Sequence, residues 1–150
     1  MRRHVHEESF RVAPEKMFAA LHTPSAVRGW WGARTVVTIP EAGGYWTASW
    51  GETEDDPDYV TGARLVEFEP PRRIVFGDYK YFAKSGPPPF EAAFLTTFEV
   101  EPHPDGCLLR VTQDGFPDGP EADEFYAACG TGWRNTFAGI RQYLASTFES

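Results

Sequence analysis

His4, His6 and Glu8 form an H-x-H-x-E run. Residues two apart on a strand share a face, and alternate strand residues can chelate a metal. The other histidines, His22 and His103, fall in loops by sequence pattern, and no cysteine pair offers a further ligand. No metal and no cofactor is therefore expected. Strand phase also turns Arg64, Thr96 and Gln113 inward. Glu8, Gln113 and Arg64 are the candidates for acid–base chemistry. A carboxyl withdrawn from water beside an amide has a raised pKa and can act as general acid or base. The plainer alternative for Glu8 is a carboxylate near a strand end, paired with a surface cation. No G-x-S-x-G, P-loop or G-x-G-x-x-G occurs. Cys129 has no histidine placed to make it a nucleophile.

These groups need a scaffold, and one stretch organises it. From Pro120 to Phe148, large apolar residues recur at Phe125, Cys129, Trp133, Phe137, Ile140, Leu144 and Phe148. That is the period of one helical face. Pro120 suits a first turn, and Glu121, Asp123 and Glu124 suit the positive end of the helix dipole. Gly130 and Gly132 interrupt this helix, each costing roughly 1 kcal/mol against Ala. They mark either a kink or close helix–sheet contact, or space hollowed out for a ligand.

Upstream, His4–Val12 alternates as a strand. Ala13-Pro14-Glu15 opens a short helix carrying Met17, Phe18 and Leu21, and Ser25 caps a second one through Trp30. Six further strands are expected at Thr35–Ile39, Tyr45–Trp50, Tyr59–Glu69, Arg73–Tyr81, Ala92–Glu101 and a last one carrying Leu109, Val111 and Gln113. Between them lie Gly43-Gly44, an acidic loop at Glu52–Asp58, Pro70-Pro71, a stiff Ser85–Pro89 loop and Pro104-Asp105-Gly106. Successive hairpins make an antiparallel sheet, and strand twist makes it curl. The fold class is α+β. A curved antiparallel sheet of about seven strands surrounds a long C-terminal helix, with two short helices after strand one, in a helix-grip arrangement.

In that layout the inward side chains are mostly apolar. The sheet contributes Trp46, Trp50, Phe76, Phe94 and Phe98, and the helix contributes Phe125, Cys129, Trp133 and Phe137. Trp30 and Trp31 sit where they can plug a cavity mouth. With Thr96, Gln113 and Gly130 these form the expected ligand-binding set, because an apolar pocket with few polar groups is the usual small-molecule site. The alternative is a solid aromatic core.

Composition narrows the function classes. The chain has 150 residues, read as a single domain over 1–150. Aromatics are 15%, an excess that suits an aromatic-lined interior, and the net charge of −8 argues against nucleic acid and anionic membranes. No apolar run follows the initial MRRH, and none approaches a membrane span. Cys107 and Cys129 lie in different element types and read as free thiols in a reducing compartment, so a cytoplasmic location is expected.

Ala13-Pro14-Glu15, Thr23-Pro24, Trp30-Trp31-Gly32, Gly43-Gly44, the run Glu69 to Phe76 and Gly132-Trp133 occur in an order and spacing that resemble the START-like, or SRPBCC, superfamily. The similarity is to its branch related to the activator of heat-shock-protein ATPase, and it covers nearly the whole chain. It implies the helix-grip fold and puts strand one beside strand seven, with Glu8 near Gln113. It also implies three functional classes: a carrier or sequestering protein for a small hydrophobic molecule, a polyketide cyclase or dehydratase-like enzyme, or a chaperone ATPase co-regulator acting through its surface. A protein partner or a homodimer belongs with the last. Fold alone does not choose among them.

Overall fold

The computed structural model describes residues 1–87 and 90–148, without the side chain of Phe148. The Pro88-Pro89 part of the expected stiff loop and the Phe148 side chain of the helical stripe lie outside what is described. The elements run β1 (Arg2–Phe10), α1 (Pro14–His22), α2 (Pro24–Trp31), β2 (Thr35–Thr38), β3 (Tyr45–Trp50), β4 (Tyr59–Glu69), β5 (Arg73–Ala83), β6 (Leu95–His103) and β7 (Gly106–Phe116). A single 3-10 turn, Pro120–Ala122, then leads into α3 (Asp123–Phe148). The sheet is antiparallel throughout, in the order β1-β7-β6-β5-β4-β3-β2. Hairpins link β2 to β7 in sequence, and α1 and α2 carry the chain from one sheet edge to the other. The long helix grips the inner face of the curved sheet.

Local sequence explains most boundaries. Pro14 and Pro24 occupy first-turn positions, where the missing N–H costs nothing. The cap of α2 is Thr23 rather than the expected Ser25, and it makes no side-chain cap bond, since Pro24 already starts the helix. Gly32 ends α2 in the left-handed conformation at φ 71°. β1 begins and ends two residues earlier than its alternation suggests. β6 begins at Leu95, three residues later than expected.

α3 serves two purposes along its length. Phe137, Ile140 and Leu144 are fully buried and join Phe10, Met17, Leu109 and Val111 in the dry core. Phe125, Cys129 and Trp133, nearer the N-terminus, are only partly covered. The two helical layers touch closely. A Cβ on Gly139 would meet the Trp30 carbonyl oxygen at 2.5 Å, and one on Gly29 would meet the Tyr143 ring at 2.6 Å. This close approach fixes α2, and with it Trp30 and Trp31, against the end of the cavity. No helix is long and apolar enough to cross a membrane.

Candidate functional site: an aromatic cavity under the long helix

Between the N-terminal half of α3 and the inner face of β3–β7 lies a cavity of about 280 Å³. One end of it is a tryptophan stack. Trp31 lies parallel to Trp30 at 5.4 Å and to Trp46 at 5.5 Å. Trp30 is anchored by donating its indole N–H to the Ala20 carbonyl at 2.8 Å. Phe76 and Phe98 form the floor, and Phe98 meets Trp133 edge-on at 5.8 Å. The roof is α3, where Phe125, Cys129, Gly132, Trp133 and Thr136 line one helix face. No charged side chain lines the cavity among the described residues.

The far wall comes from a bulge that the strand pattern does not announce. In the β4–β5 ladder, Gly62 pairs with Lys80 but Arg64 pairs with Gly77, so β5 carries an extra residue there. Asp78 takes it up at φ 51°, a left-handed conformation that Asp tolerates better than most residues. One extra residue flips the alternation. Phe76 faces inward before the bulge, and Tyr79 and Tyr81 face inward after it, stacked in parallel at 5.6 Å. Simple alternation from Phe76 would have turned Asp78 and Lys80 inward. Tyr59 and Thr61 complete this wall from β4, and Leu21 touches the cavity from α1. The sequence reading had none of these as site residues. The signal was Gly77-Asp78 placed before two tyrosines.

Two pairs of polar groups on the cavity bond to each other. Tyr79 donates its hydroxyl to Thr96 Oγ1 at 2.7 Å. Burial pushes the Tyr79 phenol well above its ordinary range, with only partial offset from the Thr96 bond, so it stays protonated. Trp133 donates its indole N–H to Gln113 Oε1 at 2.6 Å. Trp133 is half-buried, because it lines the cavity rather than the sealed core. Burial pushes the Cys129 thiol up to about 11, which leaves it protonated and a poor nucleophile.

Of the residues expected to bind ligand, the cavity brings together Trp30, Trp31, Trp46, Phe76, Thr96, Phe98, Gln113, Phe125, Cys129 and Trp133. Four others lie elsewhere. Trp50 is one layer behind, edge-on to Trp31 at 4.9 Å. Phe94 packs on Phe116 and Phe125 beyond the start of β6. Phe137 is sealed beneath β1 against His6 and Phe10. Gly130 faces β1, where an added Cβ would meet His4 Cε1 at 2.9 Å, whereas Gly132 opens onto free space.

The acid–base candidates do not converge. Glu8 pairs with Leu109 in the β1–β7 register, and it is His4 that sits opposite Gln113. Four residues of strand, roughly 13 Å, separate Glu8 from that amide. Its carboxylate instead bridges Arg141 Nη2 and His6 Nε2, each at 2.7 Å. Burial raises the Glu8 pKa, but the bonds and charges of Arg141 and His6 outweigh it and hold the carboxyl below its usual range. Arg64 points to the outer face and pairs with Asp78 at 3.1 Å, because Thr61, Ala63 and Leu65 take the inward phase of β4. His4 bonds the Tyr126 carbonyl through Nε2 at 2.6 Å and is stacked on the Tyr126 ring, so the H-x-H-x-E run divides between two local contacts. Among the described residues no three His, Cys, Asp or Glu side chains are placed to hold a metal.

Over nearly its whole length the chain is similar to a solved Mesorhizobium loti protein. Identity is 25%, with 97% of this chain and 98% of that one covered and a TM-score of 0.78. It has the fold of the Aha1 dimer from Colwellia psychrerythraea, at 16% identity, 97% and 96% coverage and a TM-score of 0.71. CalU16 from Micromonospora echinospora shares it at 12% identity, 95% and 76% coverage and a TM-score of 0.67. No curated protein matches the chain in sequence. The family described as Activator of Hsp90 ATPase homolog 1-like protein matches residues 11–145. The chain therefore belongs to that family, within the START-like (SRPBCC) superfamily of helix-grip folds.

Proposed function

We propose that this protein binds a small hydrophobic, ring-bearing molecule in the cavity beneath α3, as a carrier or sequestering protein. One observation carries the reading: a cavity of about 280 Å³ walled by aromatic rings with no charged side chain among the described lining residues. Aromatic walls gain from burying and stacking on a flat apolar ligand, and a few fixed polar groups suffice to orient it. The volume lies at the low end for small-molecule sites, roughly 300–1,000 Å³, which favours compact ring systems over long acyl chains.

An enzymatic role for Glu8 or Arg64 loses its support, since neither side chain reaches the cavity. The test is a panel of aromatic polyketides, flavonoids, sterols and fatty acids, read by thermal shift and tryptophan quenching, with native mass spectrometry of freshly purified protein. A ligand that binds only the native state raises Tm by mass action. Absence of any shift, quench or co-purified molecule would favour a surface role with a protein partner.

A further inference from the structure

Two hydrogen-bond chains end side by side on the cavity floor. Thr96 on β6 and Gln113 on β7 are register partners, so their side chains stand next to each other on the inner face. The first chain is Tyr79 to Thr96, at 2.7 Å. Two hydroxyls carry two protons; the bond between them uses one and leaves the other to donate. The second chain is Trp133 Nε1 to Gln113 Oε1, at 2.6 Å. An indole N–H can only donate, so the amide oxygen must face it and the amide NH2 must face away. That NH2 has no partner among the described residues, although Gln113 is 92% covered and lines the cavity. Both chains thus end in a donor without an acceptor. Trp46 shows the same imbalance: its indole N–H is buried without an acceptor among the described residues, although closed to solvent in this arrangement.

We propose that Thr96 and Gln113 form a carbonyl-recognition subsite, and that the ligand is an uncharged, ring-bearing carbonyl compound of the ketone, quinone or ester class. This rests on the reading of the cavity as a ligand site. A carbonyl oxygen has two lone pairs and no proton, which matches two donors converging from adjacent strands. A ketone needs no acceptor in return, whereas an alcohol brings a proton that would have to share the amide oxygen with Trp133. A carboxylate would be buried with no cation among the described lining residues, at a large desolvation cost.

The experiment compares three probes of similar shape, 9-fluorenone, fluorene and fluorene-9-carboxylate. They are titrated into the full chain by tryptophan quenching, with the infrared carbonyl stretch of bound fluorenone as a second readout. The expected result is a carbonyl stretch shifted to lower frequency than in alkane, and fluorenone bound in preference to the carboxylate. Gln113→Met should weaken fluorenone about tenfold, the scale of one lost neutral hydrogen bond, with fluorene little changed. An alkane-like stretch, equal weakening of fluorenone and fluorene, or a carboxylate bound as tightly as the ketone overturns the subsite while leaving the cavity a ligand site. If none of the three binds, the ligand-site reading fails and takes the subsite with it. The infrared measurement needs only the unsubstituted protein and decides the matter if Gln113→Met does not fold.

Discussion

Gly130 and Gly132 are two residues apart on α3 and do opposite things. Two helical steps turn a side chain by about 200°, so one glycine meets His4 on β1 and the other opens into the cavity. Helix period already groups Gly132 with Phe125, Cys129 and Thr136, at steps of 4, 3 and 4. Both glycines could be expected to hollow out ligand space, but by that period only Gly132 shares the cavity face. Alanine separates the two roles. Gly132→Ala should stabilise the protein by about 0.5–1 kcal/mol, the helix-propensity gain, because its Cβ meets nothing. Gly130→Ala should show little gain or a loss, since His4 must move. Urea denaturation of both variants measures the contrast, and equal gains would refute the assignment of faces.

At the scale of elements, β5 and β1 carry the consequences. The Asp78 bulge takes up the extra residue of β5, so deleting Asp78 should remove the bulge and leave Tyr79 and Tyr81 two and four residues past Phe76, still facing inward. The deletion variant should keep its antiparallel sheet by circular dichroism and still bind a cavity ligand; lost binding in a folded deletion variant would show that Asp78 does more than take up the extra residue. β1 is tied to α3 by Glu8, whose carboxylate Arg141 and His6 hold. Because the folded state depresses the Glu8 pKa, the clamp contributes above the ordinary carboxylate pKa and is lost as pH falls through the folded value. Wild type should be more stable than Glu8→Gln at neutral pH, and the two should converge in acid. A gap that persists below the carboxylate range would mean that the side chain acts by packing.

The sequence read well wherever one period governed a segment. The α3 stripe, the antiparallel hairpins and most inward side chains of β3, β6 and β7 follow from alternation and turn residues, while the pairing of β1 with β7 comes from the family resemblance. It failed where the period broke or where register mattered. An extra residue in β5 hid two tyrosines, and a misjudged phase on β4 put Arg64 inside. Glu8 and Gln113 lie on neighbouring strands, but adjacency says nothing about register along them. Trp50 and Phe137 do face the inner side of their elements and Phe94 packs inward just before β6, and only three-dimensional closure shows that the cavity stops short of them.

As a whole molecule, the protein divides its interior between a dry half and an open half. Phe137, Ile140 and Leu144 close one end of the helix–sheet space with the core, while the rings of Trp30, Trp31, Trp46 and Trp133 surround the other. Four of the five tryptophans in the chain therefore line the cavity, which makes intrinsic fluorescence a direct reporter of occupancy. The central claim is that this space holds a small aromatic molecule. The measurement that tests it most directly is a fluorescence titration of wild type and Gly132→Leu with a compact ring-bearing ligand, read together with Tm. The account predicts saturable one-to-one quenching and a raised Tm in wild type. Both should be lost in Gly132→Leu, which fills the cavity from the helix while remaining folded. Quenching that never saturates, or that is the same in folded Gly132→Leu, would contradict it.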